Sequence, residues 1–65
     1  MISYKRLWNK LKTEGVSQYQ LRAKGISNST LTRMKRDENV STDTLNKLCG
    51  ILHCSIEEII EYIED

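Results

Sequence analysis

The chain has 65 residues, 38% of them hydrophobic, with one Trp, no Phe and no Pro, and ten Lys or Arg against nine Asp or Glu. Such a composition closes one small core but leaves little room for a buried catalytic cavity, and two cysteines do not make a disulfide framework. With no secretory leader, membrane-length apolar run or low-complexity linker, the expectation is one cytoplasmic domain over residues 1–65 that is not an enzyme.

One local grammar recurs along the chain: an apolar residue, a serine, and a second apolar residue five positions after the first. It is written ISYKRL from Ile2, VSQYQL from Val16, ISNSTL from Ile26, VSTDTL from Val40 and CSIEEI from Cys54. Serine caps orphan helix N–H groups, and an apolar residue just before it packs on one at the fourth helical position. Each hexamer is therefore a candidate helix start. Gln20 and Glu58 stand three residues after Ser17 and Ser55 as capping-box partners. The copies are too irregularly spaced for a solenoid.

The first helix, predicted near residues 3–13, carries Tyr4, Leu7, Trp8 and Leu11 at helical spacing. The second, near 17–24, ends at Gly25, as the first ends at Gly15. The third runs near 27–36 and is followed by a polar connection at Asp37-Glu38-Asn39. Leu45, Leu48, Cys49 and Leu52 form the apolar stripe of a fourth helix near 41–53. Ile56, Ile59, Ile60 and Ile63 do the same for a fifth near 55–63. No segment reads as a strand, so the fold class expected is all-α with five short helices. Trp8 is expected in the core with Leu11, Leu31, Leu45, Leu48, Ile59 and Ile60.

The net charge of +1 conceals an asymmetry. Residues 1–36 hold nine Lys or Arg against Glu14 alone, a balance of +8, whereas residues 37–65 hold Lys47 against eight acids, a balance of −7. A chain with one basic end concentrates near a polyanion and orients on it. The third helix sharpens this reading. With Leu31 and Met34 turned to the core, Ser29, Thr32, Arg33 and Arg36 fall on the other side. Asn28 and Ser29 lie in its first turn, where short side chains permit close approach and can bond base edges. Ser, Asn and Thr are poor choices for helix stability, because they compete with the backbone for hydrogen bonds. Their accumulation here suggests a surface that reads something.

The stretch VSQYQLRAKGISNSTLTRM resembles the Cro and lambda-repressor type of helix-turn-helix, within the xenobiotic-response-element family of small bacterial and phage regulators. The opening YKRLW, the segment ENVSTDTLNKLCGILHC and the closing IEEIIEYI extend the resemblance over nearly the whole chain. One departure is visible: the span from Leu21 to Ile26 is one residue shorter than the usual turn.

The resemblance implies a compact five-helix lambda-repressor-like domain whose second and third helices form the helix-turn-helix. Its partner would be double-stranded DNA, with the third helix in the major groove. Asn28, Ser29, Thr32 and Arg33 match the base-reading positions. Gln18 matches the position at which a glutamine anchors on phosphate, and Ser17, Thr30, Lys35, Arg36 and Asn39 are weaker backbone candidates. Arg33 suits guanine, whose O6 and N7 its fork can bond together.

A domain of this size reads few base pairs, so a homodimer, at least on DNA, is expected, with Tyr62 as the candidate contact. Against these readings, Ser17 and Ser27 serve equally as simple caps, and Lys5, Arg6, Lys10 and Lys12 as a solvated helix face. Cys49, His53 and Cys54 lack the fourth ligand of a closed zinc site, and no thiol has an activating base in a cleft. No metal, cofactor, small-molecule substrate or membrane partner is expected. The other functional class is a protein-interaction module, antitoxin-like or antagonist, whose acidic C-terminal helices bind a basic partner.

Overall fold

A computed structural model describes residues 1–64. Its elements in chain order are β1 (Ile2–Ser3), α1 (Lys5–Glu14), α2 (Gln18–Ala23), α3 (Asn28–Lys35), α4 (Thr42–Leu52), a single 3-10 turn (Ile56–Glu58) and β2 (Glu61–Tyr62). The recurrent grammar explains most of this order. Ser17, Ser27 and Ser41 stand at the N-caps of α2, α3 and α4, and each side chain accepts the backbone N–H three residues on. The apolar residue five places after each opening one, Leu21, Leu31 or Leu45, is buried, as are Leu7 and Ile59 in the other two copies. At α2 the capping box is reciprocal: the Ser17 N–H donates to Gln20 Oε1 at 2.8 Å and the Gln20 N–H to Ser17 Oγ at 3.1 Å.

Gly15 ends α1 in the left-handed region, at φ 68°, a conformation that a side chain disfavours. Between α2 and α3 the short turn closes with the Ile26 N–H donating to the Leu21 carbonyl at 3.1 Å, which drops Ile26 into the core. That core joins Tyr4, Leu7, Leu11, Leu21, Ile26, Leu31, Met34, Leu45, Leu48, Leu52 and Ile59.

Two expectations fail at the chain ends. The fold has four α-helices, not five, and it contains strands. Ser55 opens its turn as read, with its N–H donating to Glu58 Oε2 at 2.8 Å, but the helical path stops at Ile59. Residues beyond it extend and pair with β1 in antiparallel register, Ile2 opposite Tyr62 and Ser3 opposite Glu61. Isoleucine favours this outcome, since branching at Cβ costs side-chain freedom in a helix and packs well on a strand. Ser3 correspondingly lies in β1 rather than at a helix cap; Tyr4 is the N-cap of α1, and Ser3 Oγ accepts the Lys5 N–H at 3.2 Å. Trp8 and Ile60 are packed against the core without being buried in it, and Cys49 is likewise half-buried. Among the described residues, no helix is long and apolar enough to cross a membrane.

Candidate nucleic-acid interface

The amphipathic division of α3 creates the site. Leu31 and Met34 are fully buried with Ile26 just before the helix, which turns Asn28, Ser29 and Arg33 outward into solvent and leaves Thr32 half-exposed. Thr32 Oγ1 donates to the Asn28 carbonyl at 3.0 Å, so its methyl and hydroxyl are held along the helix surface. Side chains on a helix lean toward its N-terminus. Arg33 follows this rule: its Nη2 donates to Thr30 Oγ1 at 3.5 Å, which brings the guanidinium back toward the turn that holds Asn28 and Ser29.

Thr30 differs from the other candidates. It is 8% exposed, and its hydroxyl accepts a 2.8 Å hydrogen bond from Ser27 Oγ while its N–H donates to that same oxygen at 3.2 Å. Ser27 Oγ also lies 3.2 Å from Ser29 Oγ. The cap serine thus connects inner Thr30 to outer Ser29. A wheel drawn around Leu31 does not reveal this network; the available signal is the i, i+3 spacing of Ser27, Thr30 and Arg33, which stacks the three on one side of the helix.

The backbone candidates gather in part. Ser17, Gln18 and Lys35 line one open cleft, floored by Trp8, Leu11 and Val16, where the start of α2 meets the end of α3. Arg36 is exposed at the C-cap of α3, and Asn39 is exposed in the following connection. That connection is anchored from beneath: the Tyr4 N–H donates to Asp37 Oδ1 at 3.1 Å and the Tyr4 hydroxyl to the Glu38 carbonyl at 2.9 Å. Tyr62 is exposed on β2, and β2 pairs with β1.

The basic half of the chain is not uniformly available. Arg6 bridges Glu61 at 3.1 Å, and Lys10 bridges Glu14 at 2.7 Å and Glu58 at 3.4 Å. Among the described residues, Lys5, Lys12, Arg22, Lys24, Arg33, Lys35 and Arg36 form no such pair. The two acid-paired cations of the basic half lie on α1; Glu58 and Glu61 come from the chain's acidic end, and Glu14 from α1 itself. Glu58 is held below the usual carboxylate range, first by the Ser55 N–H and then by Lys10.

The crystal structure of transcriptional regulator VanUg superposes on this chain with a TM-score of 0.89 at 35% sequence identity, covering 98% of this chain and 87% of that one. No curated protein matches the sequence. The family model of the Cro/C1-type HTH DNA-binding domain matches residues 6–65, and α2, its turn and α3 lie in the first half of that span. The chain belongs to the Cro/C1-type helix-turn-helix DNA-binding family.

Proposed function

We propose that the protein is a sequence-specific transcriptional regulator that occupies a double-stranded DNA operator with α3 in the major groove. The observation that carries this reading is the composition of the outer face of α3, where Asn28, Ser29, Thr32 and Arg33 present amide, hydroxyl and guanidinium groups above a buried apolar side. Those groups are the ones that bond base edges; Asn28 and Ser29 lie in the first turn of α3, and the Arg33 guanidinium reaches back toward them from the last. Ser17, Gln18 and Lys35 on their shared cleft, together with Arg36 and Asn39, would hold phosphates on either side and fix the register. The reading takes the protein as a homodimer on DNA, with Tyr62 at the contact, because two half-sites supply the specificity that one small domain lacks.

The alternative, a module that binds a basic protein through acidic C-terminal helices, draws less support. Of the two, α4 forms but the last is reduced to a 3-10 turn, and Glu58 and Glu61 are engaged by Lys10 and Arg6.

Selection of bound duplexes from random DNA tests the reading, followed by titration of Arg33→Ala on the selected site and on a scrambled duplex. Loss of one bidentate contact should cost about 1–3 kcal/mol on the selected site and much less on the scrambled one. Failure to enrich any sequence, or an Arg33→Ala variant indistinguishable from wild type on the enriched one, would remove α3 as the reading surface.

A further inference from the structure

We infer that Thr30 is a specificity-positioning residue: without touching DNA, its buried hydroxyl holds the Arg33 guanidinium, and through Ser27 the Ser29 hydroxyl, in the arrangement that α3 presents to base edges. The inference rests on the reading of α3 proposed above and adds a residue that acts behind the contacting side chains.

Three observations combine. Thr30 is 8% exposed, so it is poorly placed for a phosphate contact, yet its oxygen accepts from Ser27 Oγ at 2.8 Å and from Arg33 Nη2 at 3.5 Å. Ser27 Oγ is the hub of the helix cap, taking the Thr30 N–H at 3.2 Å and lying 3.2 Å from Ser29 Oγ. The outer face has no carboxylate to fix Arg33, which forms no ion pair among the described residues. The Thr30 hydroxyl is therefore the guanidinium's protein anchor.

A free arginine distributes its fork over many rotamers and loses that freedom when it docks on a base. An arginine already tied three residues back, toward the helix N-terminus, has less to lose. The one bond is modest, as expected for a neutral acceptor at this distance. Its effect falls selectively on contacts that need defined geometry: a bidentate base contact requires the fork, whereas a phosphate contact requires only charge. The positioning should therefore appear as specificity rather than as general affinity.

The experiment compares Thr30→Val, which keeps the branched shape and removes the hydroxyl, with Thr30→Ser, which keeps the hydroxyl. Each is titrated on the selected operator and on scrambled duplex, alone and combined with Arg33→Ala. Thr30→Val should weaken operator binding about three- to tenfold, the range of a single hydrogen bond, and leave scrambled binding unchanged. Thr30→Ser should restore operator binding to near wild type, and in the Arg33→Ala background Thr30→Val should cost little more.

Equal losses on both duplexes, or full additivity with Arg33→Ala, would overturn the positioning role while leaving α3 as the reading helix. Loss of operator selectivity in neither Thr30→Val nor Arg33→Ala would overturn both. Should Thr30→Val fail to fold, nitrogen-15 exchange of the Arg33 guanidinium in the wild-type protein decides: rotation slower than that of exposed Arg36 is expected, and equally fast rotation overturns the proposal.

Discussion

Tyr4 shows how one side chain can support a surface that it never reaches. It is 3% exposed, and through its backbone N–H and its hydroxyl it binds Asp37 and Glu38, the residues that carry the chain away from α3. Asp37 adopts φ 54°, a left-handed conformation uncommon outside glycine, and the bond from Tyr4 helps to hold it there. Removing the hydroxyl in Tyr4→Phe leaves the Glu38 carbonyl short of a donor and should cost about 1–2 kcal/mol at neutral pH. Burial pushes the tyrosine's pKa up, with Asp37 adding to the rise and the Val40 backbone partly opposing it. A raised value means that the fold favours the neutral phenol. The contribution is then fully present below the unfolded value near 10, and it is lost as pH rises through the folded value. Urea denaturation from neutral to alkaline pH should show the gap between wild type and Tyr4→Phe closing only above about pH 10. A gap that stays constant across the series would mean that the hydroxyl does not titrate with folding.

Among the elements, β2 is the one whose presence changes the functional picture. A closing helix would have offered an isoleucine face to a partner; instead Tyr62 stands 69% exposed on a short strand beside exposed Ile2 and Ile63. On the homodimer reading proposed above, these exposed apolar groups would seat the second copy of the chain, because burying them removes apolar area from water. Tyr62→Glu should shift the protein toward monomer in light scattering, with and without duplex, and leave the melting temperature nearly unchanged because the side chain lies outside the core. Undiminished dimerisation in the variant would place the contact elsewhere.

This same element marks the limit of what could be read from the residues. Apolar spacing located α1, and serine caps together with it located α2 to α4, within about two residues at each end, since a cap is a local hydrogen-bond demand that the sequence states directly. The spacing of Ile56, Ile59, Ile60 and Ile63 satisfies the helical template equally well, but whether those residues coil or extend depends on β1, almost the whole chain away. The outward positions of Asn28, Ser29 and Arg33 were legible because Leu31 sets the direction of the helix. The hydrogen bond that ties Thr30 to the cap serine was not, because a helical wheel gives the direction of a side chain and not its partner.

For the whole molecule, the charge asymmetry of the sequence is partly folded back on itself. Arg6 and Lys10 are spent on Glu61, Glu14 and Glu58, which leaves seven cations of the basic half outside such pairs among the described residues. DNA affinity should fall with salt at a log-log slope of about −0.9 for each phosphate neutralised, and the slope should be set by those seven rather than by all nine. Arg36→Ala should weaken selected and scrambled duplexes alike and make the slope shallower by about one. Titrations across a salt series on both duplexes check this; an unchanged slope would take Arg36 off the phosphate backbone.

The pairing of β1 with β2 has a further consequence, for the order in which the molecule assembles. The Met1 amino group donates to the Ile63 carbonyl at 2.7 Å, and the Ile63 N–H to the Met1 carbonyl at 2.8 Å, across a separation of 62 residues. Closing so long a loop in an unstructured chain costs entropy that a few backbone hydrogen bonds cannot offset. The strands can meet only after the helices between them have docked and brought both ends to one place. Helix caps form locally and early, while the strand pair is a late event conditional on everything before it. It follows that the surface bearing Tyr62 forms on molecules whose α3 is already in place.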